Sequence, residues 1–402
     1  MADFYQTGVI TTLHRLGRRD VAELEVELAR HAQRDPIALI LPCLVQEMDG
    51  PALPGIVREL AAVPYLDRIV VALDRAGEAE FRRARAFFAA LPQRTRILWV
   101  DGPRVSALLR RLEAERIGAG APGKGRSVWI AFGYVLADGR CRRIALHDAD
   151  ILTYSREMLA RLCYPVVSPS LSYEYAKGYY ARVTDRMHGR ATRLYITPLV
   201  RTLLRFVGYQ PYLAFLDSFR YPLAGEFALD AELARVVRIP SDWGLEIGFL
   251  SEVYRNVALR RICEVDIADV YEHKHQVLDR AQPGAGLMKM AVDIAKSLFR
   301  SLAQEGVPLS EGFFRSLRVA YLRAAQDQVA RYAHDAAING LAFDRHVEGT
   351  AVEAFAQAIE LAAREVLEDP LGTPLIPQWN RVIAAVPDVL AELYDAVEQD
   401  NA

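Results

Sequence analysis

Ile37-Ala-Leu-Ile-Leu41, then Ile56-Val57, Leu60 and Val63 at helical spacing, then Arg68-Ile-Val-Val-Ala-Leu73, form the stretch that decides the fold. The outer pieces are short, continuous apolar runs, as in strands buried on both faces of a parallel sheet, and the segment between them has a period near 3.6. The unit reads β-α-β. Upstream, residues 20–33 predict a helix, with Asp20 as its cap and Glu23 closing a capping box. Downstream the alternation repeats as a helix over 78–91, a strand from Thr95 to Val100 and a helix over 104–117. A glycine-rich loop, a helix near Val128 and a fourth apolar strand at Arg143-Ile-Ala-Leu146 follow. Such alternation predicts an α/β fold, a mostly parallel open sheet with helices on both faces.

From about residue 160 the regularity weakens. Cys163-Tyr-Pro-Val-Val167 reads as a short strand-like piece, and the aromatic run of Tyr173, Tyr175, Tyr179 and Tyr180 reads as an insertion that shapes a substrate pocket. Beyond 284 the pattern is helical: Val352, Phe355, Ile359, Ala362 and Val366 share one face, Thr350 and Glu353 make a capping box, and Asp369-Pro370 ends the helix. The chain therefore divides into an α/β part, residues 1–283, and a helical region, residues 284–402, joined at Gln282-Pro-Gly-Ala-Gly286.

Composition narrows the function. Of 402 residues 52% are hydrophobic and 25% charged, and 49 Lys and Arg against 51 Asp and Glu leave a net charge of −2. Nothing in that balance calls for nucleic acid or an anionic membrane, so an anion site must be local. The longest obvious apolar run, Ile37 to Val45, is interrupted by Pro42 and falls short of a membrane span. The first residues lack the basic region and apolar core of a secretory signal, and a cytoplasmic location is expected. Cys43, Cys141, Cys163 and Cys263 are widely separated and read as buried thiols.

Four segments carry candidate chemistry. His147-Asp148-Ala149-Asp150 follows the fourth strand, where ligands bind in open α/β sheets. An extended D-x-D turns both carboxylates to one side, fit for a hard divalent cation beside a nucleotide diphosphate. Read alone, the pair is equally a solvated loop. Gly118-Ala-Gly120-Ala-Pro-Gly123 satisfies G-x-G-x-x-G and nearly a P-loop, yet it follows a helix, and Gly125 stands at the Ser/Thr position. It is either a linker or a loop offering Lys124 and backbone N–H groups to a phosphate. Tyr271-Glu-His273-Lys-His275-Gln276 sets two histidines on one face of an extended segment. Glu246, in Ser241-Asp-Trp-Gly-Leu-Glu-Ile-Gly248, and Glu226, in Pro222-Leu-Ala-Gly-Glu226, are acids among apolar neighbours. Each needs a partner or a polar cleft.

Together, and in this order, the segments resemble the glucosyl-3-phosphoglycerate synthase family, retaining nucleotide-sugar transferases of the GT-A fold. The resemblance rests on Leu41-Pro42-Cys-Leu-Val-Gln-Glu47, Pro122-Gly-Lys-Gly125, Asp148-Ala-Asp150, Gly189-Arg-Ala-Thr192, Pro222-Leu-Ala-Gly-Glu226, Asp242-Trp-Gly-Leu-Glu-Ile-Gly248 and the His273 segment, over about residues 37–276. It implies a Rossmann-like GT-A domain that transfers glucose from UDP-glucose, or another nucleoside diphosphate glucose, to the 2-hydroxyl of 3-phosphoglycerate. Pro42, Leu44 and Glu47 would line the nucleoside pocket, and Lys124 would sit near the diphosphate. Asp148, Ala149, Asp150 and Tyr271 would contact the nucleotide sugar, with Asp150 and His273 holding Mg²⁺ or Mn²⁺. Glu246, beside Trp243, would hold the glucose, and Gly189, Arg190 and Thr192 the acceptor phosphate. Asp150, Glu246 and Lys124 would be catalytic. A homodimer is implied, as is a product on the way to glucosylglycerate, a compatible solute. The chain departs from the family in Ala149 for a more usual Ser, Tyr271 for Arg and His275 for Asn. Competing readings are a GDP-mannose donor, a glycerate acceptor, a nucleotidyltransferase and a non-catalytic nucleotide-sugar binding protein.

Overall fold

The computed structural model describes residues 6, 8–17, 19–273, 278, 282, 284–372 and 375–402. Among these, eight strands form one sheet: β1 (Thr11–Leu13), β2 (Ile37–Leu44), β3 (Leu66–Asp74), β4 (Arg94–Trp99), β5 (Arg143–Leu146), β6 (Tyr175–Tyr180), β7 (Phe227–Asp230) and β8 (Ile262–Ala268). Their order is β1-β8-β6-β7-β5-β2-β3-β4, and every neighbouring pair is parallel except those that β7 makes with β5 and β6. The mostly parallel sheet expected from the alternation is present, with one short reversed strand at its centre.

Strand periodicity explains how both faces are filled. Ile37, Leu39 and Leu41 of β2, with Ile69, Val71 and Leu73 of β3, enter one apolar cluster. Ala38, Ile40, Val70 and Ala72 enter the other. The first cluster lies under the helices at Val21–Ala32, Ala52–Ala61, Glu78–Phe88 and Arg156–Val167. The second lies under Pro103–Ala114, Lys124–Asp138 and Leu245–Asn256, and it continues without a break into Gly286–Gln304, Glu311–Ile338, Arg345–Glu368 and Val389–Asn401. The C-terminal helices thus pack on the α/β part. The last of them also covers the β4 edge, where Ile97 N–H donates to Asn401 Oδ1 at 3.0 Å and Asn401 Nδ2 donates to Ile97 O at 2.9 Å. All four cysteines are buried, free thiols.

Four local expectations are corrected. β2 runs through Pro42 to Leu44 because pairing with β5 stops at Ile40, so the missing N–H of Pro42 leaves no broken ladder on that side. Cys163-Tyr-Pro-Val-Val167 is the last part of a helix, with Pro165 tolerated near its end. Four of its five residues are buried, which made a helical stretch look like a strand. The aromatic run is no insertion: Tyr175–Tyr180 is β6, wholly buried between β7 and β8. The helix ending before Pro370 begins at Arg345, where Asp344 accepts from His346 N and Val347 N. Thr350 instead donates back to His346 O at 3.0 Å.

Candidate active site

Because β7 alone is reversed, the carboxyl ends of β5, β6 and β8 and the amino end of β7 lie along one edge of the sheet. His147 to Asp150 leave β5 there, Ala181 to Thr192 follow β6, Tyr271 and His273 follow β8, and Glu226 enters β7. Lys124 and Glu246 stand at the starts of two helices, Lys124–Asp138 and Leu245–Asn256. Helix N-termini favour anions, so both starts suit a phosphate or a carboxylate.

Lys124 Nζ lies 2.7 Å from Asp148 Oδ1 and 3.4 Å from Glu246 Oε1. Burial pushes the Asp148 carboxyl up, but the adjacent ammonium outweighs it and holds the group below the ordinary carboxylate range. Burial likewise opposes the charge on Lys124, while Asp148 and Glu246 raise its pKa above the ordinary lysine value. The loop that delivers Lys124 is docked. A Cβ on Gly125 would lie 2.0 Å from Pro240 O, and Gly120, at φ +72°, would place one 2.7 Å from Ser241 Cβ. Asp242 accepts from Gly244 N at 2.9 Å, which fixes the turn before Glu246, and Trp243 beside it is 44% exposed.

Asp150 Oδ2 and His273 Nδ1 are 3.7 Å apart, held by a bridge between Ile151 and His273. Together they offer one oxygen and one nitrogen donor. This donor set would suit a divalent cation, and the acids around it favour positive charge: Asp148, Asp150, Glu226 and Glu246 outnumber Lys124 and Lys177. His275 lies outside the described residues. Among those described, Asp67, Asp138 and Cys141 also come close enough to share an ion. That set sits at the amino end of the sheet, and Arg140 and Arg68 already pair with its carboxylates at 3.1 and 2.8 Å.

Tyr271 is buried, its hydroxyl donating to Glu226 Oε1 at 2.6 Å and its ring stacked on Tyr180 at 3.7 Å between centroids. Tyr180 donates to Glu226 Oε2 at 2.7 Å. Glu226 therefore has both oxygens hydrogen-bonded, and burial, with Asp148 nearby, still raises its pKa. Below it, Lys177 of β6 donates to Ala224 O at 2.6 Å, and burial pulls its ammonium down to about 8. Gly225 stands where a Cβ would meet Asp148 Oδ2 at 2.7 Å, so glycine there lets the Glu226 segment approach the D-x-D.

The Gly189 segment reaches the same edge across an aromatic stack. Tyr221 lies 5.0 Å from the Tyr180 ring, accepts from Arg182 Nη1 at 3.1 Å and flanks Gly189, whose φ is +71°. Arg190 is partly exposed, and Thr192 is buried with no partner for its hydroxyl among the described residues. Pro42 and Leu44 are half-buried at the end of β2, Glu47 is in the 3₁₀ turn Val45–Asp49, and Ala149 is buried. Sequence reading passed over Lys177 and Arg193, and it took Tyr180 for a pocket lining rather than a partner of Glu226. A lysine within an aromatic strand was the available signal for the first.

No protein-family model matches the sequence. The chain is 49% identical over 402 residues, the whole of both proteins, to a glucosyl-3-phosphoglycerate synthase of Persephonella marina. It is 38% identical to one from Methanococcoides burtonii, covering 99% of this chain and 98% of that protein. Among solved structures it resembles the glucosyl-3-phosphoglycerate synthase of Mycobacterium tuberculosis in complex with Mn²⁺, UDP and glucosyl-3-phosphoglycerate, with a TM-score of 0.54 and 20% identity over 74% of this chain and 88% of that one. The mannosyl-3-phosphoglycerate synthase of Rubrobacter xylanophilus gives a TM-score of 0.52 at 22% identity, over 72% and 86%. These structural likenesses speak for the fold.

Proposed function

The chain belongs to the glucosyl-3-phosphoglycerate synthase family, and from that premise we propose how its residues divide the work. It is a glycosyltransferase that moves glucose from UDP-glucose to the 2-hydroxyl of 3-phosphoglycerate with a divalent cation, giving glucosyl-3-phosphoglycerate. The observation that carries this reading is full-length identity of 49% to a named synthase. The convergence of Lys124, Asp148, Asp150, Glu246 and His273 at one sheet edge supports the residue assignments.

Asp150 and His273 hold the cation, Mg²⁺ or Mn²⁺, which when bound offsets charge on the diphosphate of the departing UDP. Lys124 stands over the same diphosphate and keeps Asp148 ionised for the nucleotide sugar. Glu246, in the first turn of its helix, accepts hydrogen bonds from glucose hydroxyls. Pro42, Leu44 and Glu47 border the nucleoside. Tyr271 acts on the nucleotide sugar from below, by fixing Glu226. Gly189, Arg190 and Thr192 take the acceptor phosphate through backbone N–H, guanidinium and hydroxyl.

Retention follows from a front-face displacement. The acceptor hydroxyl approaches the anomeric carbon on the side from which UDP leaves, and its proton passes to the departing phosphate oxygen, so no carboxylate need be a strong base. Residues 1–283 carry both substrates in this account, and residues 284–402 buttress them; a dimer and a cytoplasmic location accord with it, and no described helix is long and apolar enough to cross a membrane. Asp150→Ala should abolish metal-dependent turnover, and Arg190→Ala should raise KM for 3-phosphoglycerate far more than for UDP-glucose. Near-normal rates in the first variant, or equal KM changes in the second, would overturn the assignments.

A further inference from the structure

Arg190 does not stand alone. Its Nε lies 2.8 Å from Glu348 Oε1, and Glu348 belongs to the first turn of the helix Arg345–Glu368. Oε2 of the same carboxylate lies 2.6 Å from Arg193 Nη2. Glu348 is 4% exposed, so two guanidinium groups hold one buried carboxylate. Arg193 is itself anchored: Nε donates to His188 O at 3.1 Å, Nη2 donates to Met187 O at 3.3 Å, and the guanidinium lies over the Tyr332 ring at 5.2 Å. Arg190 differs. Its side chain is 38% exposed, and Nε is the edge that Glu348 holds.

We infer that Glu348 is a positioning residue for the acceptor. Anchored by Arg193, it grips the Nε edge of Arg190 and leaves the two Nη groups directed at the acceptor phosphate. A guanidinium presents planar edges of fixed geometry, so a partner on one edge selects which edge remains for an oxyanion. The helical region after residue 284 thereby contributes to acceptor binding through a side chain 158 residues from Arg190. The inference rests on Arg190 binding the acceptor phosphate.

A carboxylate near a phosphate also has a repulsive effect, and the two roles have opposite signs. Were charge alone to matter, removing it would lower KM for 3-phosphoglycerate. Positioning requires that KM rise.

Initial rates on the full-length enzyme with its divalent cation test this in Glu348→Ala, Glu348→Asp and Glu348→Gln, beside Arg190→Ala. Glu348→Ala and Glu348→Asp should raise KM for 3-phosphoglycerate about tenfold, with kcat and KM for UDP-glucose close to wild type. Aspartate keeps the charge but withdraws it by one methylene. Glu348→Gln keeps an acceptor oxygen for Nε and should rescue most of the loss. The preference for 3-phosphoglycerate over glycerate should shrink in step. Should the alanine variant fail to fold, the aspartate and glutamine variants decide. An unchanged or lowered KM for 3-phosphoglycerate, or equal changes for both substrates, would overturn the role of Glu348. If Arg190→Ala itself leaves KM for 3-phosphoglycerate unchanged, the acceptor assignment fails first. If Arg190→Ala raises it and the Glu348 variants do not, the positioning role alone fails.

Discussion

Replacing Lys124 by methionine keeps most of the side-chain volume and removes one ammonium from between two carboxylates. In the intact protein that ammonium is 2.7 Å from Asp148 and 3.4 Å from Glu246, with side-chain exposures of 31%, 30% and 18% for the three groups. Removing one partner of a fully buried pair costs about 3–5 kcal/mol, and an exposed pair contributes at most about 1 kcal/mol. Exposure near one third puts Lys124 between these limits, at about 2–3 kcal/mol in the transition state, where charge develops on the leaving diphosphate. That corresponds to roughly a 30- to 150-fold loss of kcat. Two further changes carry opposite signs to a general loss of structure. Asp148 loses the charge that holds its pKa down, so the acid limb of the pH–rate profile should move toward neutrality. The site also becomes more negative, so the apparent affinity for the divalent cation should rise. Steady-state UDP release measured against pH and against Mg²⁺ reads all three. A wild-type kcat with an unmoved acid limb, or a lowered apparent affinity for Mg²⁺, would refute the electrostatic role assigned to Lys124.

Glu264 of β8 is buried, accepting from Thr12 Oγ1 at 2.9 Å and Arg220 N at 2.7 Å, and burial pushes its pKa from an ordinary 4.5 up to about 7. The fold binds a proton there that the unfolded chain has released, so stability should fall by about 2–3 kcal/mol as pH rises from 4.5 to about 7. Urea melts of Glu264→Gln should show that slope flattened, and an unchanged slope counts against the assignment. Gly125→Ala forces a Cβ to within 2.0 Å of Pro240 O and must shift the Lys124 loop, so kcat/KM for UDP-glucose should drop about 100-fold in a folded protein. A wild-type value would mean that the loop is free to move aside. Trp379 stacks on Trp129 at 4.4 Å, and each indole N–H donates to main chain, Trp379 to Trp129 O at 3.0 Å and Trp129 to Pro377 O at 2.9 Å. Trp379→Ala should cost about 3–5 kcal/mol by chemical denaturation, and a change below about 1 kcal/mol would deny the C-terminal segment its structural role.

How far the molecule can be read from its sequence follows from where the signals are local. β2, β3 and β5 are legible because each strand is buried on both faces, β4 because Ile97 and Leu98 form a buried apolar pair at the sheet edge, and helices of different period separate all four. β7 is not, since four residues paired antiparallel on both sides have no period of their own. The aromatic strand β6 looked like a pocket lining because tyrosine serves both uses, and only its neighbours in the sheet distinguish them. In the site, Asp148, Asp150, Lys124, Glu246 and His273 belong to short motifs, and the fold brings them to one edge. The pairing of Tyr180 and Tyr271 on Glu226 depends on three separate elements, and that of Glu348 with Arg190 spans most of the chain's second half. No local spacing encodes such contacts.

The central claim is that this sheet edge transfers glucose from a uridine nucleotide to a phosphorylated hydroxy acid. UDP release from UDP-glucose with Mg²⁺, measured with and without 3-phosphoglycerate and beside GDP-mannose and glycerate, tests it most directly. Release that requires both UDP-glucose and 3-phosphoglycerate, with formation of one equivalent of glucosyl-3-phosphoglycerate, is the expected result. Binding of UDP-glucose without acceptor-dependent release, or turnover that favours GDP-mannose or glycerate, would contradict it.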